Sequence, residues 1–491
     1  MKISEIFNLN KSQHELDFVD IDTSNDTPLF LDPYFLSLRN DRWSVDAHRT
    51  LENYFQFILH LFETNHKEEA RRNFKFTEPK ETCLGLSKSG TKGKSLGDND
   101  ATKLFEYILN SRVVESGLVN HVNDMKIFVD NISHDKISDL TTNVIRKPLI
   151  KYTQNQCKLH GLKLTKGVPT REYWDTITRS WISTYEDMLV IEDEPVLLVP
   201  KSIVIRKQAY YYDSSMYARH HVLNFLVTEE LRLNTSLVRT KTLKNGEKRK
   251  SVNKEETAKK YGAYKKEFLR NFTIEHPEFY EDFKNIASKN IETLSNEVIL
   301  DEYSYEFYLA IIDKLISGFQ NINPGAAQAN EYHDHVIATM TFLFCPDLIN
   351  PVKEQEINSG RKRIDLVYDN AAEDGYFFNL STVKDIPSSY IFVECKNYNK
   401  TLSNPDFDQL NGRFSINRGK MGFLVFRKSD DEESLIKRCS DYYKDNKNLI
   451  IPLQDSDFIE ILKQLQNEEF SYGKIPQQNL LQRLTRKIIL S

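Results

Sequence analysis

The stretch YIFVECKNY, residues 390–398, has the apolar character of a strand in the middle of a sheet, yet it carries two full charges. Successive side chains of a strand point to opposite faces, so Glu394 and Lys396 are expected to be neighbours on one face. An edge strand that leaves both charges in water would show the same pattern. The segments on either side of this stretch are needed to choose between the two interpretations.

A second strand-like segment, GRKRIDLVYDN at 360–370, carries Asp365 between two apolar residues. An aspartate inside a strand is disfavoured unless it has a partner. The residues between the two segments are rich in turn formers, which predicts an antiparallel hairpin. We therefore expect Asp365 to lie beside Glu394.

The sequence after the charged stretch predicts a helix and then a strand. Asn404 and Pro405 are typical of a helix start, and the apolar run at 421–426 predicts the strand. Gln409 and Arg413 are four residues apart, so we expect them on one face of this helix.

Two adjacent carboxylates, together with carbonyl and water oxygens, form a site suited to Mg²⁺, with Mn²⁺ as a possible substitute. A metal there would polarise a phosphoryl oxygen and lower the pKa of a bound water. A lysine beside it would neutralise negative charge that develops in the transition state. The predicted cluster of Asp365, Glu394 and Lys396 would then be a catalytic site whose charges compensate one another.

This order of residues resembles the PD-(D/E)XK, or restriction-endonuclease-like, nuclease superfamily, and the QLNGRF helix is similar to its Mrr-like branch. The resemblance covers about 325–465 and implies an α-β-β-β-α-β core. It implies that Asp365, Glu394 and Lys396 are catalytic, with Gln409 as an accessory residue. It also implies metal binding by Asp365, Glu394 and the backbone carbonyl of Cys395, and an additional acid, Glu331, on the first helix.

One position departs from the family pattern. The residue before Asp365 is Ile364 rather than proline, whereas Pro346-Asp347 has the family's dipeptide but stands before the strand. Asp365 is therefore the preferred acid, and Asp347 is the fallback. His333 and His335 are two residues apart, which places them on different helix faces, so we expect packing or substrate contact from them rather than a zinc site.

A basic segment from Arg239 to Arg270 stands out in a chain whose net charge is −5. It holds twelve lysines and arginines against four glutamates, so the rest of the chain is strongly acidic. Such a surface suits nucleic-acid phosphates, whose neutralisation releases counterions. The candidate nucleic-acid-binding residues are Lys244, Lys248, Arg249, Lys250 and, outside this segment, Arg413. The alternative is a solvated hairpin with Asn245-Gly246 as its turn, followed by a charged helix face.

The chain is predicted to be a multi-domain α/β (α+β) protein. We expect a mostly helical recognition or regulatory region with some strands at 1–235, the basic hairpin and helix at 236–270, and a helical connector at 271–320. The nuclease domain is expected at 321–470 and a C-terminal tail at 471–491. Five widely spaced cysteines suggest free thiols, and the lack of a leader or of roughly 20 consecutive apolar residues predicts a cytoplasmic protein without a membrane segment.

The expected function is Mg²⁺-dependent endonucleolytic cleavage of DNA. The resemblance implies a role in bacterial restriction or anti-phage defence, and it suggests a homodimer. The sequence contains no ATPase motif, so an ATP-driven step would need a separate ATPase or activator protein. The alternatives are a catalytically silent or activator-dependent DNA-binding or sensor protein, and a nuclease that acts on RNA.

Overall fold

The computed structural model describes residues 1–74, 77–85, 105–108, 113, 116–206, 212–300, 304–357, 362–467 and 474–491, with the backbone alone for 354–357 and 362–364. Helices and several small sheets alternate along these residues. The predicted mixed α/β class is confirmed at this level. None of the helices in the described ranges is long and apolar enough to cross a membrane.

The first region is mostly helical with short strands, as predicted. Its longest helix is Arg42–Glu63, which is capped by the Asp41 side chain. The other helices are Ile3–Ile6, Pro33–Leu38, Lys67–Asn73, Asp124–Phe128, His134–Val144, Arg146–His160, Ser214–Tyr217 and Leu223–Leu233. The strands are Phe30–Leu31, Thr165–Pro169, Tyr173–Asp175, Ser180–Ile182, Tyr185–Ile191, Glu194–Val196 and Val204–Ile205.

The basic segment begins with a two-stranded hairpin, Arg239–Thr242 and Lys248–Ser251, whose residues are all exposed. Gly246 has φ +85°, a conformation that glycine adopts readily, and so the predicted Asn245-Gly246 turn is confirmed. Helices follow at Lys254–Tyr261, Lys266–Glu275, Pro277–Asn290, Asn296–Leu300 and Tyr305–Asn321.

The last third of the chain forms a five-stranded sheet with helices on both faces. In chain order its elements are α1 (Ala329–Phe344), β1 (Leu348–Ile357), β2 (Lys362–Asn370), α2 (Gly375–Thr382), β3 (Tyr390–Lys396), α3 (Asn404–Asn411), β4 (Met421–Phe426), α4 (Glu432–Asn446), β5 (Leu449–Gln454), α5 (Asp455–Leu465) and α6 (Ile475–Leu490). The strands lie in the order β1-β2-β3-β4-β5. The pairs β1-β2 and β2-β3 are antiparallel, whereas β3-β4 and β4-β5 are parallel.

The two faces of this sheet pack against different helices. Helix α1 covers one face, where Tyr368 Oη donates to the Ile337 carbonyl of α1. On the same face the ring of Phe344, at the end of α1, stacks on the ring of Phe423 with 5.9 Å between the ring centroids. On the other face, Phe392 of β3 contacts Phe414, which follows α3. Both faces of the central strand β3 are therefore buried, which agrees with its apolar sequence.

The hydrophobic residues form two clusters. The first runs from Ile3 to Ile299, and the second contains Leu159 together with residues from Tyr308 to Ile488. Helix Tyr305–Asn321 and the C-terminal helix α6 both contribute to the second cluster, so the sheet is packed by residues on both sides of the predicted 321–470 limits.

One local prediction is wrong. Helix α3 ends at Asn411, and Gly412 is its C-cap, so Arg413 lies beyond the helix rather than on one helix face with Gln409. The first two positions of α3 are Asn404 and Pro405, and β4 begins at Met421, as predicted.

Candidate active site

The predicted acid pair comes together where β2 and β3 are neighbours in the sheet. Leu366 pairs with Val393, so the next position in the register sets Asp365 against Glu394, with both side chains on one face. The backbone N–H of Cys395 donates to Asp365 Oδ2 at 3.3 Å. Antiparallel pairing thus brings together two carboxylates that are 29 residues apart in the sequence.

Glu394 is almost completely buried, with 1% of its surface exposed. Burial, followed by the negative charge of Asp365, raises the pKa of Glu394 to about 7, although the ammonium of Lys396 opposes this shift. A hydrogen bond between the two carboxyl groups also contributes, and it requires that one of them holds a proton. Since no described nitrogen or hydroxyl donates to Glu394 Oε2, the pair lacks a positive partner on this oxygen.

Lys396 is held by two oxygen acceptors. Its Nζ donates to Glu394 Oε1 at 2.8 Å and to Gln409 Oε1 at 2.9 Å. Gln409 reaches this position because α3 begins soon after β3, where Ser403 and Asp406 form a capping box. The predicted residues Asp365, Glu394, Lys396 and Gln409 therefore form one contiguous cluster.

His333 of α1 lies beside this cluster. Burial lowers the pKa of His333, whereas the charge of Asp365 and a hydrogen bond to the Cys395 backbone act in the opposite direction. The sequence analysis expected only packing or substrate contact from this histidine. Its position next to Asp365 and Cys395 makes it part of the site.

The structure does not bring Glu331 into this cluster. Glu331 is exposed, and its Oε2 accepts a hydrogen bond from Gln328 Nε2 at 2.6 Å. Positions two apart on a helix differ by about 200° in direction, so Glu331 and His333 point to opposite sides. The side of α1 that faces the cluster therefore carries His333, and not Glu331 as the resemblance implies.

The fallback acid Asp347 has a different environment. Its Oδ1 forms an ion pair with Lys474 Nζ at 2.6 Å, and burial raises its pKa. Asp365 lies opposite Glu394 in the sheet, whereas Asp347 forms an ion pair with Lys474, the residue just before α6. The geometry therefore favours Asp365 over Asp347 as the acid of the site.

Asn397, the residue after Lys396, ties a loop to this end of β3. Its Nδ2 donates to the carbonyls of Asn323 and Gly325 at 3.2 and 2.9 Å, and its own carbonyl accepts from the Gly325 N–H at 2.7 Å. The 321–328 loop leads directly into α1. These bonds therefore fix the start of the helix that carries His333.

The predicted nucleic-acid-binding residues lie on separate elements. Lys244, Lys248, Arg249 and Lys250 are on the exposed hairpin, where Lys250 Nζ also contacts Asn234 Oδ1. Arg413 is only half-exposed, and its Nε is buried without a hydrogen-bond partner among the described residues.

The donor atoms of the cluster suit a hard cation. Asp365 and Glu394 provide carboxylate oxygens, and the Cys395 carbonyl has a second lone pair besides the one that His333 uses. Within the described ranges, no three or more His, Cys, Asp or Glu side chains are arranged to hold a metal ion. A site with two carboxylates still fits Mg²⁺, which keeps several waters and uses one or two carboxylates. A cation would also supply the positive partner that Glu394 Oε2 lacks.

A comparison with known protein families finds a match to the first region. Residues 8–211 match the family described as "Domain of unknown function (DUF8370)". No curated protein and no solved structure matches the chain. The match ends before the basic hairpin and leaves out the five-stranded sheet, so the candidate site rests on its own geometry.

Proposed function

We propose that the chain is a Mg²⁺-dependent endonuclease that hydrolyses phosphodiester bonds of DNA. The observation that carries this proposal is the cluster on the paired strands β2 and β3, where buried Glu394 and partly buried Asp365 meet a lysine held between Glu394 and Gln409. A structural ion pair would explain Lys396 and one carboxylate. It would not explain why a second carboxylate, Asp365, is set against the first.

The order of elements also supports a PD-(D/E)XK core. The run α1-β1-β2-β3-α3-β4 follows the α-β-β-β-α-β order, with the short helix α2 inserted between β2 and β3. Asp365 lies on β2, the Glu394-Cys395-Lys396 triplet on β3 and Gln409 on α3, and this order supports the proposal. The likeness of this order, and nothing beyond it, is the reason to propose a role in bacterial restriction or anti-phage defence.

Each residue of the cluster has a distinct role in the proposed reaction. Asp365, Glu394 and the Cys395 carbonyl would hold Mg²⁺, which polarises the phosphoryl oxygen and lowers the pKa of a bound water. Lys396 orients the attacking water and neutralises charge on the phosphoryl group. Gln409 keeps the Lys396 ammonium in place, so it is a positioning residue.

The basic hairpin is the proposed contact with the phosphate backbone of DNA. Lys248, Arg249 and Lys250 are exposed on its second strand, and Lys244 is exposed on the turn before that strand. A homodimer would allow cleavage of both strands, and any ATP-driven step would come from a separate ATPase or activator protein.

The test is cleavage of supercoiled plasmid, linear DNA and RNA in Mg²⁺ or in EDTA. We expect cleavage of DNA in Mg²⁺ and none with Asp365→Asn, Glu394→Gln or Lys396→Met. Lys447→Met and Asp385→Asn are matched controls, because these residues form an exposed ion pair before the starts of β5 and β3, at the opposite end of β3 from Lys396. Both controls should cut like the wild type.

Several results would contradict the proposal. Equal cleavage by the wild type and the three site variants would remove these residues from the reaction. Cleavage of RNA alone would replace DNA as the substrate. If the wild type cuts nothing, Mn²⁺ binding measured by electron paramagnetic resonance provides a separate readout, and the absence of binding would refute the metal site.

A further inference from the structure

A lysine of the first region, Lys11, contacts a histidine instead of an acid. Lys11 Nζ contacts His160 Nδ1 at 3.3 Å, and within the described ranges no carboxylate lies within ion-pair distance of it. Burial lowers the pKa of Lys11, and the charges of Asp334 and Glu15 oppose that effect. A partly desolvated ammonium without a counter-charge is unfavourable, so this position suits an anion.

The two nearest acids are already occupied. Asp334 Oδ1 accepts from Lys353 Nζ at 3.0 Å, and both carboxylate oxygens of Glu15 accept from Lys314 Nζ, at 2.7 and 2.9 Å. Each of these two ion pairs is neutral overall. Among these five groups, the charge of Lys11 is therefore the one that is not compensated. His160 adds no charge, because burial and the nearby Lys11 and Lys353 hold its pKa well below the ordinary value.

Lys11 also lines an open cavity of about 580 Å³ between the N-terminal segment and helix Tyr305–Asn321. The carboxylates of this cavity accept hydrogen bonds from the chain's own donors: Glu5 from the Lys2 N–H, Glu15 from Ser12 and Lys314, and Asp20 from Ser4. The ammonium groups of Lys2 and Lys11, in contrast, are in no ion pair among the described residues. Because neutral donors do not cancel the charges of Glu5 and Asp20, the three lysines and three carboxylates that line the cavity balance in formal charge. Lys11 remains a cation that no carboxylate of the described residues pairs with directly.

Lys353 relates the surroundings of Lys11 to the candidate active site, because it faces Leu366, the residue next to Asp365, across the β1-β2 pair. The charge of Lys353 acts on Lys11, His160 and His333, and Lys353 is paired with Asp334, the residue after His333. His333 in turn experiences the charge of Asp365. If a nucleic-acid strand binds with its scissile phosphate at Asp365, a neighbouring phosphate of the same strand would lie on the side of Lys353 and Lys11.

We propose that Lys11, oriented by His160 and with Lys353 beside it, binds a phosphate group. The chemistry is shared by a phosphate of the nucleic-acid backbone and by a free phosphate in the cavity. The place of Lys353 opposite Leu366 favours the backbone, and this choice rests on the proposed nuclease function. The region that matches DUF8370 would then supply part of the substrate path, since Lys11 and His160 both belong to it.

The test compares Lys11→Gln with the wild type in two binding measurements made in EDTA, so that no cleavage is needed. The first is fluorescence anisotropy of a labelled 20-mer DNA over a range of salt concentrations. The second is the thermal unfolding midpoint with and without inorganic phosphate. Lys151→Gln is the matched control, because Lys151 is exposed on the same helix as His160.

If the backbone supplies the phosphate, Lys11→Gln weakens DNA binding about three- to tenfold and lowers the salt dependence by roughly one counterion. Lys151→Gln then binds like the wild type. If a free phosphate is the ligand, DNA binding is unchanged and Lys11→Gln loses the rise in unfolding midpoint that inorganic phosphate causes. Lys11→Arg retains the charge and should restore whichever signal was lost.

Two results would overturn the proposal: Lys11→Gln that matches the wild type in both measurements, or Lys11→Arg that is as weak as Lys11→Gln. Neither depends on catalysis. Cleavage that requires Asp365 but ignores Lys11 would refute the phosphate site alone. Phosphate or DNA binding that requires Lys11, in a protein that cuts nothing and binds no metal, would refute the nuclease function alone.

Discussion

At the scale of single residues, the two charges on strand β3 are explained by what surrounds them. Glu394 is buried against Asp365, and Lys396 compensates only one of the two carboxylates. A core that needed these residues for stability alone would gain from apolar replacements, because desolvating ions costs more than a single pair returns. The second carboxylate therefore argues for a cation as the third partner.

Gln409 provides the most specific test of how Lys396 is positioned. Gln409→Leu removes the oxygen that accepts from Lys396 Nζ at 2.9 Å, so only the bond to Glu394 Oε1 still orients the ammonium. We expect the cleavage rate to fall about 10- to 100-fold, as for other residues that orient groups at metal sites, with an unchanged unfolding midpoint. Gln409→Glu keeps an acceptor oxygen and should retain more activity than Gln409→Leu. Equal rates for all three proteins would exclude a positioning role.

The sequence was sufficient for the central residues because their signals are local. Alternation along β3 and a turn-rich link to β2 predict that Asp365, Glu394 and Lys396 are neighbours, and their contacts agree with this. Glu331 is predicted from the resemblance, which implies an additional acid on the first helix but does not determine the direction of its side chain. The direction of each side chain around α1 depends on how that helix packs, and packing turns His333 toward the site instead.

At the scale of elements, the position of helix α3 depends on a glycine in the neighbouring strand. A Cβ at Gly422 of β4 would lie 2.9 Å from the Phe392 carbonyl oxygen, 3.0 Å from Leu410 Cδ1 and 3.1 Å from Phe414 Cε1. Distances this short require the neighbours to move. Gly422 therefore allows α3 to approach the sheet closely enough for Gln409 to reach Lys396.

Gly422→Ala should thus impair the site through the helix. We expect a loss of stability of about 1–3 kcal/mol from overpacking, together with reduced cleavage by the molecules that remain folded. Gly161→Ala is a control for stability alone: Gly161 has φ +68° and open space around it, so alanine there costs about 1 kcal/mol of backbone strain. Urea unfolding and cleavage assays on both variants separate the effects. If Gly422→Ala loses stability but cuts normally, the approach of α3 is not needed for catalysis.

The exposed hairpin makes a second prediction at this scale. Replacing Lys244, Lys248 and Arg249 by glutamine should weaken DNA binding. The number of counterions released on binding, measured from the salt dependence of the affinity, should fall by about one for each DNA phosphate that is no longer neutralised. Lys163, Lys166 and Arg179 are exposed residues of the first region, and their replacement by glutamine removes the same charge. Anisotropy titrations should show a change for the hairpin variant only. Equal weakening in both variants would mean that net charge, and not the hairpin, determines binding.

At the scale of the whole molecule, buried acids join the first region to the sheet. Asn350 lies in a bulge of β1 and donates from Nδ2 to Asp41 at 3.2 Å and to Asp369 at 3.0 Å, while its N–H donates to Asp17 at 3.1 Å. Asp369 also accepts from the Trp43 N–H at 3.4 Å. The residues involved are hundreds of positions apart, so no local pattern could have predicted this junction.

The protonation of Asp369 should link this junction to pH. Burial, followed by the charge of Asp41, raises the pKa of Asp369 to about 7, and the charge of Asp17 also raises it. Hydrogen bonds from Asn350 and Trp43 act in the opposite direction. The other charged group at this junction is Arg39, which is paired with Asp41. Because the folded state holds this proton more tightly than the unfolded state does, the stabilisation is complete below the unfolded pKa near 4 and is lost as pH rises through about 7.

Asp369→Asn keeps the shape and the acceptor oxygen but cannot ionise. Below about pH 4 the variant and the wild type should be similar in stability, whereas at pH 8 the variant should be more stable, by at most about 4 kcal/mol. Urea midpoints at both pH values measure this, with Asp430→Asn as a control because that carboxylate is 93% exposed. The difference between variant and wild type isolates Asp369 from other buried acids, such as Asp455, that titrate in the same range. Parallel pH profiles for Asp369→Asn and the wild type would show that the junction is not held together by this proton.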